Sequence, residues 1–486
     1  MDTFDPAETG HSGDRFVIRG GAVMSLDPAV GDFDTGDVLV DGTTIVEVAP
    51  RIDAADIPVI DATGKIVMPG FIDTHHHQFE TGLRSFLADG LLFDDGQPHG
   101  RVNYFDYILG RFAGAYRPED VYINTLFGAL SQLDCGVTTV LDVSQIHHTP
   151  DHSNATVQAL SDSGKRAVLG YFEGSGQHPD FAYPGDAQRL LEEHFSSTDQ
   201  LVTMMMGGEI YLPGYEETWR LGRELGLPVV CHVVGSFAGM RPEFDKVVDS
   251  GALGPDNLFI HMTEVSDRGW QAAKDAGAKV SAAVPIELNM RHGTPPLLKA
   301  VAMDMQPSLS TDVECTMTAD FFTQMRSAMT LQRGQVNQMV LDGAEDVPEL
   351  ATTRDVLRWA TVNGAEGLGL ADRVGSLTPG KEADILILDA EAINVAPLNN
   401  VPVPSSRSWS DRTSSRDRRR RCAQMAGSTP RCRPPAVAHS ARGLPRSSLR
   451  CRRNRARSLR RRVTAHEATA PEPAALVRLL HLSPRR

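Results

Sequence analysis

The chain has 486 residues, of which 41% are hydrophobic and 23% are charged, so it is long enough for a large core and a second, smaller unit. Residues 1–14 have neither a basic start nor an apolar stretch, and no run of about 18 apolar residues follows, so we expect a cytoplasmic protein without a membrane span. The net charge of −14 and six scattered cysteines argue against a nucleic-acid-binding body and against a disulfide framework.

Short alternating strands open the chain. The segments RFVIRGGAVMSLD, DVLVDGTTIVEVAP and PVIDATG are punctuated by Gly and Asp, which is typical of hairpins. The later segment GSLTPGKEADILILD likewise combines a short apolar stretch with Gly and Asp. We therefore predict one composite β-sandwich built from both chain ends, with residues 1–68 as its first part and residues 375–404 as its second.

Eight nearly continuous apolar runs follow the opening strands. They lie at residues 66–75, 137–143, 166–173, 201–209, 228–234, 257–262, 279–285 and 307–313. Helical patterns, such as those at 215–225 and 267–276, separate several of them, which is typical of a parallel sheet covered on both faces. Eight such units predict an α/β chain with a (β/α)8 TIM barrel over residues 69–374.

Arginine dominates the end of the chain. Residues 401–486 contain 22 arginines, no lysine and four acidic residues, a charge of +18, which leaves −32 for the rest. We predict that residues 405–486 form a disordered basic tail, because they can bury little apolar surface. The alternative is a frame-shifted ending, since natural polybasic arms usually mix lysine with arginine. An intact tail could bind nucleic acid or anionic lipid, or fold back on the acidic body.

The segment FIDTHHHQFETG, residues 71–82, places three consecutive histidines at the end of the first barrel strand. Because side chains alternate along a strand, His75 and His77 share one face and His76 points away. Active sites of such barrels lie at the carboxyl ends of the strands, where an H-x-H pair can chelate a metal ion. Other strand ends supply further ligand types: His232, His261 and Asp312. We therefore predict a metal site, although Asp312 could instead cap a helix beginning near Thr318.

Several segments together resemble the amidohydrolase superfamily, most closely its cytosine deaminase and s-triazine hydrolase group. They are VMPGFIDTHHHQFETGLRS, PIELNMRHG, STDVECTMTADFF and ATVNGAEGLGLADRVGSLTPGKEADILILDA, with the His232 and His261 strand ends. The resemblance runs from about Arg15 to about Pro404. It implies a metal-dependent hydrolase with one divalent ion, Zn²⁺ in preference to Fe²⁺. The implied ligands are His75, His77, His232 and Asp312, with His261 holding the substrate or the attacking water.

These residue types suit the hydrolysis of a carbon–nitrogen bond. A divalent ion lowers the pKa of its bound water to about 7, and so supplies hydroxide at neutral pH. Asp312 can accept the proton of that water, and His261 can donate a hydrogen bond to the oxyanion or to a ring nitrogen. We predict a deaminase acting on a small nitrogenous heterocycle, and we expect a homodimer.

Two alternative functions remain open at this point. Amide hydrolysis and chloride displacement use the same metal-bound hydroxide, so these residues do not distinguish an amide hydrolase or a chlorohydrolase from a deaminase. The other alternative is a metal-binding pseudoenzyme whose basic tail binds nucleic acid.

One departure from the family pattern concerns the proton shuttle. Relatives usually place glutamate three residues after the fifth-strand histidine, where this chain has Gly235. We predict that Glu209, at the end of an apolar strand, is the catalytic replacement. The alternatives are Glu173, Glu264 and Glu287. The fourth strand also lacks lysine, which favours a single metal ion over a carbamylated two-metal centre.

Four residues near predicted strand ends are candidates for substrate binding: Gln78, His147, Asn289 and Arg291. Gln78 directly follows the metal-binding pair, and Arg291 could hold an anionic or carbonyl group through two hydrogen bonds. His147 lies in SQIHHTPDH, which is equally typical of a solvated loop. Nearby aromatic residues, including Phe79 and Tyr104, could stack on a flat ring or pack within a helix.

Overall fold

A computed structural model describes residues 15–174, 178–235, 240–392, 395–397 and 477–480. No helix in this part of the chain is long and apolar enough to cross a membrane. The predicted disorder of residues 405–486 lies outside the described residues, except at 477–480.

Five strands at the start of the chain belong to one sheet. They are β1 (Arg15–Val23), β2 (Phe33–Asp41), β3 (Thr44–Ala49), β4 (Val59–Asp61) and β5 (Lys65–Pro69). β1 pairs antiparallel with β2 and parallel with β4 and β5, and β2 continues antiparallel into β3. Buried side chains such as Phe16, Val38 and Ile45 form an apolar core for this sheet.

Eight parallel strands in the described residues form the barrel. They are β6 (Phe71–His76), β7 (Val137–Ser144), β8 (Arg166–Tyr171), β9 (Val202–Gly207), β10 (Val229–His232), β11 (Asn257–Ile260), β12 (Lys279–Ala282) and β13 (Ser308–Leu309). They are neighbours in chain order, from β6 to β13. Almost all their residues are buried, which explains runs without polar alternation. Each predicted apolar run overlaps one of these strands, so the predicted barrel is confirmed.

Helices follow most of the barrel strands. Those in the described residues are α1 (Pro118–Asp134), α2 (Pro150–Asp162), α3 (Ala187–His194), α4 (Tyr215–Glu224), α5 (Met240–Ser250), α6 (Asp267–Asp275), α7 (Val284–Asn289), α8 (Leu297–Ala302), α9 (Phe321–Leu341), α10 (Thr353–Trp359) and α11 (Val362–Gly367). Between β6 and α1 the chain forms short 3-10 turns and a π-helix at Phe105–Phe112. This segment lies at the carboxyl ends of the barrel strands.

Two further strands complete the sheet that begins the chain. β14 (Ile385–Asp389) pairs antiparallel with β5, and β15 (Val477–Leu480) pairs antiparallel with β14. A β domain built from both chain ends is therefore confirmed. β15 corrects the predicted disorder for its four residues, because the exposed edge of β14 offers backbone hydrogen bonds to an extended segment.

Gly70 separates the sheet from the barrel. The first predicted run, residues 66–75, is divided here into β5 and β6. A Cβ atom at Gly70 would lie 2.2 Å from Thr138 Cγ2, so only glycine fits where the chain enters the barrel.

We expect Gly70→Ala to lower the free energy of unfolding by roughly 1–3 kcal/mol, because the added methyl group overlaps the Thr138 side chain. Chemical denaturation measures the change. Gly334→Ala is the matched control, since a Cβ at this exposed position of α9 would meet no atom within 4 Å. Gly334→Ala should raise the free energy of unfolding by roughly 0.5–1 kcal/mol, because alanine has the higher helix propensity. Equal stability of the Gly70→Ala variant and the wild type would contradict the steric argument.

Candidate metal centre and active site

Three imidazoles meet at the carboxyl end of the barrel. His75 and His77 come from the end of β6, and His232 ends β10. His75 Nε2 lies 3.0 Å from His77 Nε2 and 3.1 Å from His232 Nε2. His76 points to the other side, where its Nδ1 lies 2.8 Å from Thr311 Oγ1. The alternation expected along the strand therefore brings His75 and His77 together.

Asp312 and His261 lie against the same group. Asp312 Oδ1 is 3.5 Å from His75 Nε2 and 3.6 Å from His77 Nε2. Asp312 Oδ2 is 3.5 Å from His261 Nε2. The backbone also holds this carboxylate in place, because the Asp312 N–H donates to the His75 carbonyl and the His77 N–H donates to the Asp312 carbonyl, each at 2.9 Å. All five side chains are buried.

Partners outside the cluster determine which imidazole nitrogen faces inward. The outer nitrogen, Nδ1, lies 2.8 Å from the Val143 carbonyl in His77, 2.5 Å from Glu209 Oε1 in His232 and 3.0 Å from Glu287 Oε1 in His261. These oxygens accept, so Nδ1 carries the proton and Nε2 presents a lone pair. Several lone pairs directed at one point repel each other unless a cation lies between them. The donor set therefore fits a divalent metal ion.

The pKa shifts of His75 and His77 agree with neutral imidazole ligands, whereas the shift of His232 is in the opposite direction. Burial and the neighbouring imidazoles place the pKa values of His75 and His77 well below the ordinary value, so both are neutral ligands at neutral pH. Burial also lowers the pKa of His232, but the Glu209 carboxylate outweighs it and the net shift is upward. Burial raises the pKa of Asp312 to about 7. A cation beside Asp312 would favour its ionised form.

Glu209 lies behind the cluster and not on the cavity side. Its Oε2 accepts a hydrogen bond from the His232 backbone N–H at 3.0 Å, while Oε1 faces His232 Nδ1. Both oxygens are therefore engaged by one histidine. This placement favours a role for Glu209 in orienting His232 over the predicted role as a proton shuttle.

The alternative glutamates occupy three different environments. Glu264 is exposed and accepts from the Thr294 N–H at 3.1 Å. A Cβ at Gly235 would lie 2.4 Å from Glu264 Cβ, so the Glu264 side chain fills the space that a glutamate at 235 would need. Glu173 accepts from the Gln145 amide at 3.2 Å. Of these alternatives, Glu287 contacts His261 directly.

A cavity opens beside the metal-binding group. Its described walls are mainly apolar or aromatic, and they include Leu92, Tyr104, Phe105, Leu109, Met290 and Val313. Gln145 and His292 add polar atoms. Neither residue was predicted as a contact. The only sequence signal for His292 was its place in PIELNMRHG, two residues after Met290.

Two of the predicted substrate contacts are buried away from this cavity. Gln78 donates from its amide to Gln132 Oε1 at 3.2 Å. The His147 ring packs on Tyr171 with 4.6 Å between ring centroids, and its Nδ1 lies 2.9 Å from Ser153 Oγ. Gln78 Oε1 and His147 Nε2 have no hydrogen-bond partner among the described residues, but neither side chain is among the described walls of this cavity.

The other two predicted contacts face solvent. Asn289 is exposed at the end of α7. Arg291 is 65% exposed and pairs with Asp95 at 2.8 Å. The Arg291 backbone has a φ of 59°, a left-handed conformation that turns the chain directly before His292. This turn explains why His292, and not Arg291, reaches the cavity.

A family model described as the amidohydrolase family matches residues 66–209 and 240–414. The chain belongs to this family. The predicted resemblance is therefore confirmed, and the protein is a metal-dependent hydrolase that acts on carbon–nitrogen bonds other than peptide bonds. The histidine cluster and Asp312 form a candidate site for the metal cofactor, because their ligand atoms lie close enough together to hold an ion.

Curated relatives of this amidohydrolase include two named deaminases. A 5'-deoxyadenosine deaminase from Methanosarcina barkeri is 26% identical over 401 residues, which cover 79% of this chain and 87% of the relative. A 5-methylthioadenosine/S-adenosylhomocysteine deaminase from Symbiobacterium thermophilum is 25% identical and covers 80% of this chain and 88% of its own length.

Solved structures with the same fold include two that contain zinc. An adenosine deaminase from Xanthomonas campestris with bound zinc has a TM-score of 0.65 at 21% identity, covering 80% of this chain and 88% of its own. An atrazine chlorohydrolase from Arthrobacter aurescens TC1 complexed with zinc has a TM-score of 0.68 at 20% identity, covering 79% and 89%. These likenesses confirm the fold.

We expect Glu209→Gln to weaken metal affinity by roughly 10- to 100-fold, because the outer partner of His232 loses its charge. Competition with a chelator, followed by metal analysis, measures the affinity. Arg291→Gln is the control and should retain wild-type affinity. Unchanged metal affinity together with a large loss of kcat would instead restore the shuttle role of Glu209.

Proposed function

We propose that this amidohydrolase deaminates a flat, amino-substituted nitrogen heterocycle, using one zinc ion held by His75, His77, His232 and Asp312. The observation that carries the proposal is the set of inward Nε2 lone pairs beside Asp312, at the end of a cavity with aromatic and apolar walls. The deaminase names of the relatives and the zinc in structures of the same fold support this choice.

The donor set suits hydrolysis at neutral pH. A bound zinc ion supplies Lewis acidity, which lowers the pKa of a water molecule to about 7. Three neutral imidazoles and one carboxylate leave much of the positive charge in place. The surrounding burial strengthens every electrostatic interaction inside the site.

Asp312 and the His261–Glu287 pair move the protons in this proposal. Asp312 accepts the proton of the attacking water, and its Oδ2 lies 3.5 Å from His261 Nε2. Glu287 lies behind His261 and stabilises the imidazolium that forms when His261 takes up a proton. Burial raises the pKa of Glu287 well above its ordinary value, whereas burial and the neighbouring imidazoles lower the pKa of His261. A proton that the pair holds at neutral pH therefore rests on Glu287 and reaches the substrate through His261.

The reaction is balanced by one water molecule. The water oxygen bonds to the ring carbon that carries the amino group, and the carbon–nitrogen bond breaks. The protons of the water leave on ammonia or on the ring of the product. The His261–Glu287 pair thus takes the place of the glutamate that relatives have where this chain has Gly235.

We expect zinc-loaded protein to release ammonia from a panel of amino-substituted pyrimidines, purines and triazines. Metal removal should abolish the release and zinc should restore it, as followed by coupled ammonia detection. A parallel panel of chloro-substituted rings, with chloride as readout, serves as the comparison. Chloride release without ammonia would replace deamination by halide displacement, and loss of neither product on metal removal would exclude the proposed site.

We expect Glu287→Gln to lower kcat by roughly 10²- to 10⁴-fold, because His261 loses the carboxylate that stabilises its protonated form. Steady-state kinetics across pH 5–9 and metal analysis measure the effect, and metal content should not change. Glu264→Gln is the matched control and should keep wild-type kcat. A large loss of activity in the control, with full activity in Glu287→Gln, would assign proton delivery to Glu264.

A further inference from the structure

His292 presents a buried imidazole to the cavity. Only 4% of the residue is exposed, and neither of its ring nitrogens has a hydrogen-bond partner among the described residues. The backbone, by contrast, is held at both ends: the His292 N–H donates to the Glu287 carbonyl at 3.0 Å, and the His292 carbonyl accepts from Thr263 Oγ1 at 2.8 Å. The backbone of His292 is therefore fixed, while the polar atoms of its ring are left for another molecule.

The His292 ring lies next to the reacting centre. Its centroid is 4.7 Å from that of His261, with the two planes at 85°. Burial lowers the pKa of His292 to about 3, so the ring is neutral at neutral pH and offers one donor and one acceptor. Leaving both atoms without partners costs free energy that a bound ligand can recover.

The other described walls offer little to a sugar. The polar groups of the described walls, apart from His292 and the metal-binding group, are the hydroxyls of Tyr104 and Tyr211 and the Gln145 amide, which donates to Glu173. No serine, threonine, asparagine, lysine or arginine side chain lines this part of the cavity. A ribose brings several hydroxyl groups, and burying them without partners is unfavourable. A flat ring with nitrogen atoms on its edge needs fewer partners, so it is a better match for mainly apolar walls with a few separate polar groups.

We propose that His292 is a substrate-orienting residue, and that the substrate is a compact heteroaromatic amine without a sugar, whose ring nitrogen pairs with the imidazole. This inference rests on the proposed function of the site. It separates the protein from the adenosine-type substrates named for its curated relatives.

Purine and purine riboside test the inference by binding alone, because neither carries an exocyclic amino group that deamination could remove. In calorimetry with zinc-loaded wild type, we expect purine to bind at least tenfold more tightly than its riboside. His292→Ala should weaken purine binding at least tenfold, and His292→Asn, which keeps an amide donor and acceptor, should recover part of the loss.

Arg291→Ala is the matched control, since Arg291 is the adjacent residue and pairs with Asp95 at the surface. It should bind purine as the wild type does. Metal analysis and thermal unfolding establish that each variant is folded and loaded. Equal binding of purine by loaded His292→Ala and wild type would overturn the role of His292. Riboside binding as tight as that of purine would overturn the substrate class.

Different results would reject the proposed deamination and the proposed role of His292. Zinc binding and ammonia release from a nucleoside, with no effect of His292→Ala on KM, would preserve deamination and reject the inference. Purine binding that depends on His292, without ammonia from any amine, would reject deamination and leave the recognition role in place.

Discussion

The inward direction of the imidazole lone pairs is the constraint on which the active site depends. Nε2 atoms of His75, His77 and His232 approach to about 3 Å, a distance at which uncharged acceptors repel. In His77 and His232 the Val143 carbonyl and the Glu209 carboxylate accept from the outer nitrogen, which leaves Nε2 as the inward acceptor, whereas His75 Nδ1 has no partner among the described residues. Glu209 and Val143 therefore support the proposed metal centre from behind its candidate ligands.

A second buried network, made of hydrogen bonds around Asp73, stabilises β6, the first strand of the barrel. Asp73 accepts from the His75 N–H at 3.2 Å and from the Gln132 amide at 2.8 Å, and it also accepts from Thr311, which contacts His76. The middle histidine of the triplet is thus a structural residue. It connects the first strand to the segment that carries Asp312, which explains why three histidines occur where two ligands are needed.

The sequence allowed the meeting of these side chains to be predicted because each candidate ligand lies at the end of a strand, and parallel strands bring their carboxyl ends to one rim. His232 and Asp312 are 80 residues apart, yet strand order alone places them together. The substrate contacts could not be predicted in this way, because they lie in loops whose direction depends on single backbone angles. Arg291 and His292 illustrate this dependence. Because the Arg291 backbone is left-handed, the Arg291 side chain faces solvent and the His292 side chain faces the cavity.

Asp312 also closes the barrel. Its backbone N–H and carbonyl are hydrogen bonded to His75 and His77, so the residue that joins the last strand region to the first is also the proposed oxygen ligand. Occupancy of the metal site and integrity of this seam are therefore thermodynamically linked. Substitutions in β13 that weaken its packing in the barrel should therefore lower the affinity for the metal ion, even where the substituted residue contacts no candidate ligand.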